Sequence, residues 1–144
     1  MKKNIFTIIA FLFLSLSGYA QKSQLENFFN HYSEQDNFSY VFYGSGKDLN
    51  LAHRFPDEFR GEVSSMNFIK SLFCSSLGEE TPEEFITKLK GILGKDNFIL
   101  VKSVKNKKNR VETYQKKTDS DFEQVTLMVS GKLVQVRWES GKLK

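Results

Sequence analysis

FILVKSVKNKKNRVETYQKKTDSDFEQVTLMVSGKLVQVRW, residues 98–138, decides the fold. It holds four short runs rich in β-branched and aromatic residues, 98–104, 110–116, 122–129 and 133–138. Polar segments at 105–109 and 118–121 and the pair Ser130-Gly131 separate them, as tight turns separate the strands of a meander. Side chains in a strand alternate between faces. Val125, Leu127 and Val129 therefore share one face, as do Val134, Val136 and Trp138.

Working upstream, residues 81–94 carry the best-marked helix. Thr81 stands at the N-cap, Pro82 at the first helical position and Glu84 where a capping box closes. Glu83 and Glu84 suit the positive end of the helix dipole. Phe85, Ile86, Leu89, Ile92 and Leu93 form its apolar stripe, and Gly94 is the expected C-terminal cap. Residues 65–75 alternate Met66, Phe68, Leu72 and Cys74 on one side, with Lys70 interrupting, and are expected to form a strand. Residues 38–43 read as another strand. Both its faces are apolar, which predicts a central position in the sheet. A first helix is expected from Ser23, capped with Glu26, with Leu25, Phe28, Phe29 and Tyr32 on one face. Gly44-Ser45-Gly46 breaks the chain after the first strand. Residues 47–55 are expected to form a short helix limited by Pro56. Helix, strand, strand, helix and four strands make an α+β fold: a mainly antiparallel sheet with about two helices on one face, ending in a β-meander. No internal repeat is present.

Working outward to the N-terminus, Lys2 and Lys3 precede an uncharged apolar run from Ile5 to Leu16. Ser17-Gly18-Tyr19-Ala20 then places small residues before a cut after Ala20. Charged start, short apolar middle and small-x-small end are the parts of a cleavable secretory signal. The apolar run is shorter than the roughly 18 residues a membrane span needs. The expectation is a signal peptide at residues 1–20 and a single exported domain at residues 21–144, periplasmic or extracellular, with no transmembrane span after cleavage. Removing Lys2 and Lys3 lowers the formal charge from +4 to +2, which does not argue for nucleic acid as a partner. One cysteine, Cys74, cannot form an internal disulfide, so the core must hold the domain. The 14% aromatic content supplies the apolar area.

The stretches LENFFNHYSEQDNFSYVFYG (25–44), PEEFITKLKGILGKDNFILVKSVKNKKNRVETYQKK (82–117) and FEQVTLMVSGKLVQVRW (122–138) together resemble the domain of unknown function 4252 family of small exported bacterial proteins. The resemblance rests on element order and apolar pattern. It implies export and this architecture, and it carries no functional residues.

No sequence signature of a reaction stands out. A Cys74 nucleophile would need a base, for which His31 and His53 are the candidates. Its apolar setting, SLFCSSL, predicts a buried structural thiol instead. Two histidines without HxxxH or CxxC spacing do not make a zinc site. Glu79, Glu80, Glu83 and Glu84 cluster, but capping accounts for Glu83 and Glu84. No glycine motif for phosphates and no GxSxG elbow occurs, so neither a cofactor nor a metal is expected. The remaining feature is basic. Lys102, Lys105, Lys107, Lys108, Arg110, Lys116 and Lys117 fall in one predicted hairpin, opposed chiefly by Glu112. Lys105, Lys107, Lys108, Arg110, Lys116 and Lys117 are the candidate binding residues. Such a patch suits anionic lipid headgroups, acidic glycans or an acidic envelope protein. Lysines at a strand edge also keep sheets from pairing with one another. The leading expectation is a non-enzymatic envelope interaction module, with exposed aromatics such as Tyr43 adding contact. The alternatives are a hydrolase using Cys74 with a histidine, and a small carrier of apolar ligands.

Overall fold

The computed structural model describes residues 24–44 and 62–144. The expected leader, Ser23, the short helix at 47–55 and His53 lie outside the described residues. The chain runs α1 (Gln24–Ser33), β1 (Ser39–Tyr43), β2 (Val63–Cys74), α2 (Pro82–Lys95), β3 (Ile99–Lys105), β4 (Asn109–Lys117), β5 (Asp121–Ser130) and β6 (Leu133–Leu143). This is the order the sequence predicts, and the fold is α+β and mainly sheet.

One six-stranded sheet has the order β1-β2-β6-β5-β4-β3. Every neighbouring pair is antiparallel. The meander contributes β3 to β6 through local hairpins. Gly131 supplies the positive φ, 60°, that the tight β5–β6 turn requires. The non-local step is β2 against β6, which joins the two halves of the chain.

Both helices contribute to one core with Leu72, Cys74, Tyr114, Val125, Leu127, Val129, Val134 and Val136 of the sheet. Register places those sheet residues on a single face. The centre of that core is aromatic. Phe85 of α2 lies 5.3 Å from Phe28 and 4.9 Å from Tyr32, and Tyr32 lies 4.9 Å from Phe38 between ring centroids. Such tilted pairs add about 0.5–1.5 kcal/mol each beyond the area they bury. Among the described residues, no helix is long and apolar enough to cross a membrane.

The cap of α2 forms as predicted. Glu84 N–H donates to Thr81 Oγ1, and Thr81 N–H donates to the Glu84 carboxylate, both at 3.2 Å. Its other end differs from expectation. The helix runs past Gly94 to Lys95, and the left-handed residue is Asn97, at φ 66°. Phe98 N–H then donates to Leu93 O at 2.9 Å and Asn97 N–H to Gly94 O at 3.3 Å. This is a Schellman closure, with Phe98 and Leu93 both in the core. Asparagine tolerates the left-handed region almost as glycine does, so the cap moves to where the Phe98 contact pulls it.

β1 also departs from expectation. It is an edge strand, exposed along its whole length, and Tyr40, Val41, Phe42 and Tyr43 all reach solvent. An apolar pattern on both faces fits a central strand, but β2 finds its second partner in β6 instead. Lys70, which interrupts the apolar face of β2, is buried there. Its ammonium stands 4.9 Å from the Phe68 ring centroid, 5.0 Å from Trp138 and 5.7 Å from Phe42. It pairs with Glu26 of α1 at 3.2 Å. Three rings and a carboxylate replace the water that the charge loses.

Candidate functional site

The basic segment between residues 99 and 117 is a hairpin, β3 paired to β4 from Ile99↔Gln115 to Lys105↔Arg110. Its turn is held by its own asparagine. The Asn106 side-chain oxygen accepts from Lys108 N–H at 3.0 Å and Asn109 N–H at 2.8 Å. Asn106 N–H donates to Asn109 O at 2.9 Å. Asx turns of this kind fix the backbone and leave the intervening side chains outside. Lys107 and Lys108 project there, exposed.

Below the turn, charges converge on Glu112, which is 1% exposed. Its carboxylate accepts from Arg110 Nε at 2.9 Å and from Tyr114 Oη at 2.6 Å. Lys90 of α2 approaches it to 3.5 Å and Lys105 to 3.9 Å. Burial pushes the Glu112 carboxyl up. The hydrogen bonds from Tyr114 and Arg110, with the charges of Arg110 and Lys90, outweigh that and hold it below its ordinary value. The same burial and the Glu112 bond push the Tyr114 phenol up. Glu112 is therefore ionised at neutral pH and acts as the knot of the tip.

One carboxylate cannot neutralise three cations. Glu83, far out in solvent, adds only a 3.8 Å approach to Arg110. With Lys107, Lys108 and, on the neighbouring β5–β6 turn, Lys132 included, six cations meet two carboxylates at this end among the described residues. The local surplus is positive although the domain as a whole is nearly balanced.

The structure does not bring all the candidate residues together. Lys105, Lys107, Lys108 and Arg110 share the tip. Lys116 and Lys117 sit at the other end of β4, about 20 Å away at ~3.3 Å per residue. Lys117 pairs there with Glu62 at 3.1 Å and lies over Phe122, while Lys116 lies over Phe98. Sequence reading missed two cations at the tip end. Lys90 comes from α2, and Lys132 from the β5–β6 turn, which register sets beside the tip through Asn109↔Ser130 and Ser130↔Leu133. The packing of α2 on the sheet reveals the first and strand pairing the second.

The other candidates lie elsewhere. Cys74 is 0% exposed within the core, and its sulfur accepts a hydrogen bond from Asn37 Nδ2 at 3.7 Å. A thiol so placed lacks the access a nucleophile needs. His31 is exposed, set against the Tyr32 ring and 3.2 Å from Gln35 Nε2. It lines two open clefts around α1 and α2, of about 710 and 500 Å³, and Cys74 lines neither. Both are open to solvent. The larger is rimmed by Asp36, Glu79, Glu80 and Glu84. Glu80 is held by Tyr32 Oη at 2.8 Å and Lys88 at 2.9 Å, and Glu84 by the helix cap. Among the described residues, no three His, Cys, Asp or Glu side chains are placed to hold a metal.

No family model matches the chain, and no curated protein matches it.

Proposed function

We propose that the protein is an exported, non-enzymatic binding module that engages an anionic component of the cell envelope through the tip of the β3–β4 hairpin. The supporting observation is the charge surplus at one rigid end of the sheet. Glu112 is shared among Lys90, Lys105 and Arg110, while Lys107 and Lys108 stand beyond it on an Asx-locked turn. A fixed turn loses little conformational freedom on binding, so its charges act at small entropic cost. The leader at residues 1–20 supports delivery outside the inner membrane.

The test is co-sedimentation with a whole-envelope fraction as a function of salt. Binding should fall steeply between about 0.1 and 1 M salt, as exposed charges become screened. Lys107→Glu with Lys108→Glu should abolish it, while leaving Glu112 and the fold untouched. Retention of those two variants equal to that of the unmodified protein would refute the reading.

A further inference from the structure

Resting on that reading, we infer that the anionic component is the surface of a lipid bilayer, entered by one exposed row of the sheet face opposite the helices. The row runs across strands by register: Val104↔Val111, Val111↔Met128, Met128↔Gln135 and Gln135↔Phe73. All five side chains point away from the helices, since they alternate with the core positions Leu127, Val134 and Leu72. Val104, Met128 and Phe73 are 50%, 43% and 38% exposed. Four of the five positions are apolar, and on this face only the pairing Asn109↔Ser130↔Leu133 stands between the row and the turns.

The charges frame this row. Lys107 and Lys108 stand on the β3–β4 turn and Lys132 on the β5–β6 turn, both at the same end of the sheet. Lys102 sits one row further in on the same face, opposite Thr113. Behind the apolar row the face turns polar, with Thr113 opposite Thr126 and Thr126 opposite Arg137. Cations at the rim, apolar side chains next and polar ones behind is the layering of an interfacial protein. Such proteins sink apolar side chains ~5–10 Å into the headgroup boundary while basic residues meet the phosphates. Lysine suits that role. Its long apolar stem spans the boundary, and its point charge needs no fixed geometry in the partner. A folded acidic protein would reward shaped pockets or bidentate arginines, and the row offers neither.

The experiment is flotation of the exported protein with vesicles of phosphatidylcholine containing phosphatidylglycerol, beside pure phosphatidylcholine and an immobilised polyanion, heparin. Variants differ only in the sheet, so residues 1–61 contribute equally to every arm. The unmodified protein should bind phosphatidylglycerol vesicles and heparin but not pure phosphatidylcholine. Neutralising each of Lys107, Lys108 and Lys132 to Gln should weaken vesicle binding about fivefold, from ~1 kcal/mol per surface lysine. Val104→Ser with Met128→Ser, both at exposed positions, should weaken vesicle binding about tenfold and leave heparin binding unchanged. Heparin binding without vesicle binding would overturn the membrane inference and leave the basic-tip reading standing. Failure to bind either would overturn both. Vesicle binding that ignores the Val104 and Met128 changes would also overturn the inference, because charge alone would then account for it.

Discussion

The two edges of the sheet solve one problem differently. An edge strand presents unpaired backbone groups to any other strand. β3 exposes Ile99, Leu100, Val101 and Val104, but Lys102 and Lys105 interleave with them and the basic turn follows. β1 exposes Tyr40, Val41, Phe42 and Tyr43 and carries no charge at all. Each edge is tied to a helix by one buried charge on the adjoining strand, and the two charges are opposite. Glu112 of β4 faces Lys90 of α2, while Lys70 of β2 faces Glu26 of α1. The anchors are alike in design, whereas the outer surfaces are not. A strand's place in the sheet and its readiness to meet another chain are thus set by different residues. Anchoring belongs to the neighbouring strand, and protection belongs to the strand's own side chains.

Breaking the β3 anchor should have the largest effect. Glu112→Ala strands the Tyr114 hydroxyl and leaves Arg110 facing Lys90 and Lys105. Removing one partner of a fully buried pair costs ~3–5 kcal/mol. Here the lysines can reach water, so about 2–3 kcal/mol is expected, read by chemical denaturation at pH 7. The pH dependence carries a sign. The folded state holds the Glu112 carboxyl below its ordinary value. Its contribution is therefore present above the unfolded pKa, about 4.3, and is lost as pH falls through the lower folded value. Acid unfolding should flatten in Glu112→Ala.

The middle of the sheet is the control for both edges. Glu139 lies between Gln124 and Ile69, 2% exposed, with Arg137 Nε on one carboxylate oxygen at 2.6 Å and the other oxygen without a hydrogen-bond partner among the described residues. Burial pushes its carboxyl up to about 7, against the lowering pull of Arg137. The sign is opposite to that of Glu112. The stabilisation from holding Glu139 neutral is complete below its ordinary value near 4.5. It is lost as pH rises through about 7. Glu139→Gln keeps an acceptor for Arg137 and stays neutral, so it should raise stability at pH 8 by about 2 kcal/mol and change little at pH 4. Thermal melts at the two pH values check this. An unchanged melting temperature at pH 8 would place the ionised carboxylate in a better-solvated site than the geometry indicates.

The β1 anchor should be weaker than the β3 anchor. Lys70→Met keeps the stem among Phe42, Phe68 and Trp138 and removes the charge. Glu26 is half exposed, so its ion pair contributes little. The loss should be about 1 kcal/mol, mostly the cation–π contact. Hydrogen exchange should quicken in β1 with no change in β3.

These anchors mark what the sequence can and cannot tell. The meander was legible because its four strands pair with their chain neighbours and alternate cleanly. The α2 cap was legible because Thr81, Pro82 and Glu84 act within one turn. Lys70 was visible only as an interruption, since its rings come from β1, β2 and β6. The same non-local β2–β6 pairing hid the edge position of β1. At the tip, Lys105, Lys107, Lys108 and Arg110 could be grouped from spacing because a hairpin is local. Lys116 and Lys117 were grouped with them wrongly, because closeness along a strand ignores its length. Lys90 needed the packing of α2 against the sheet, and Lys132 needed register.

The smallest effect on stability should come from exchanging the protection of the two edges, and it sharpens the comparison most. Val41→Lys places a charge at the centre of the bare edge. Val41 is already exposed, so folding stability should shift by no more than ~0.5 kcal/mol. Lys102→Thr with Lys105→Thr removes the charges from the other edge and favours a strand conformation there. If side-chain charge is what protects an edge, light scattering at high protein concentration should fall in Val41→Lys and rise in the double variant, though both melt near the parent temperature. Antiparallel pairing of β1 with its own copy about Val41 would set Tyr40 against Phe42 and oppose no like charges, so this edge resists self-pairing least. Pairing β3 with its copy brings lysines of both chains together. Equal scattering from all three proteins would mean that something other than side-chain charge governs both edges.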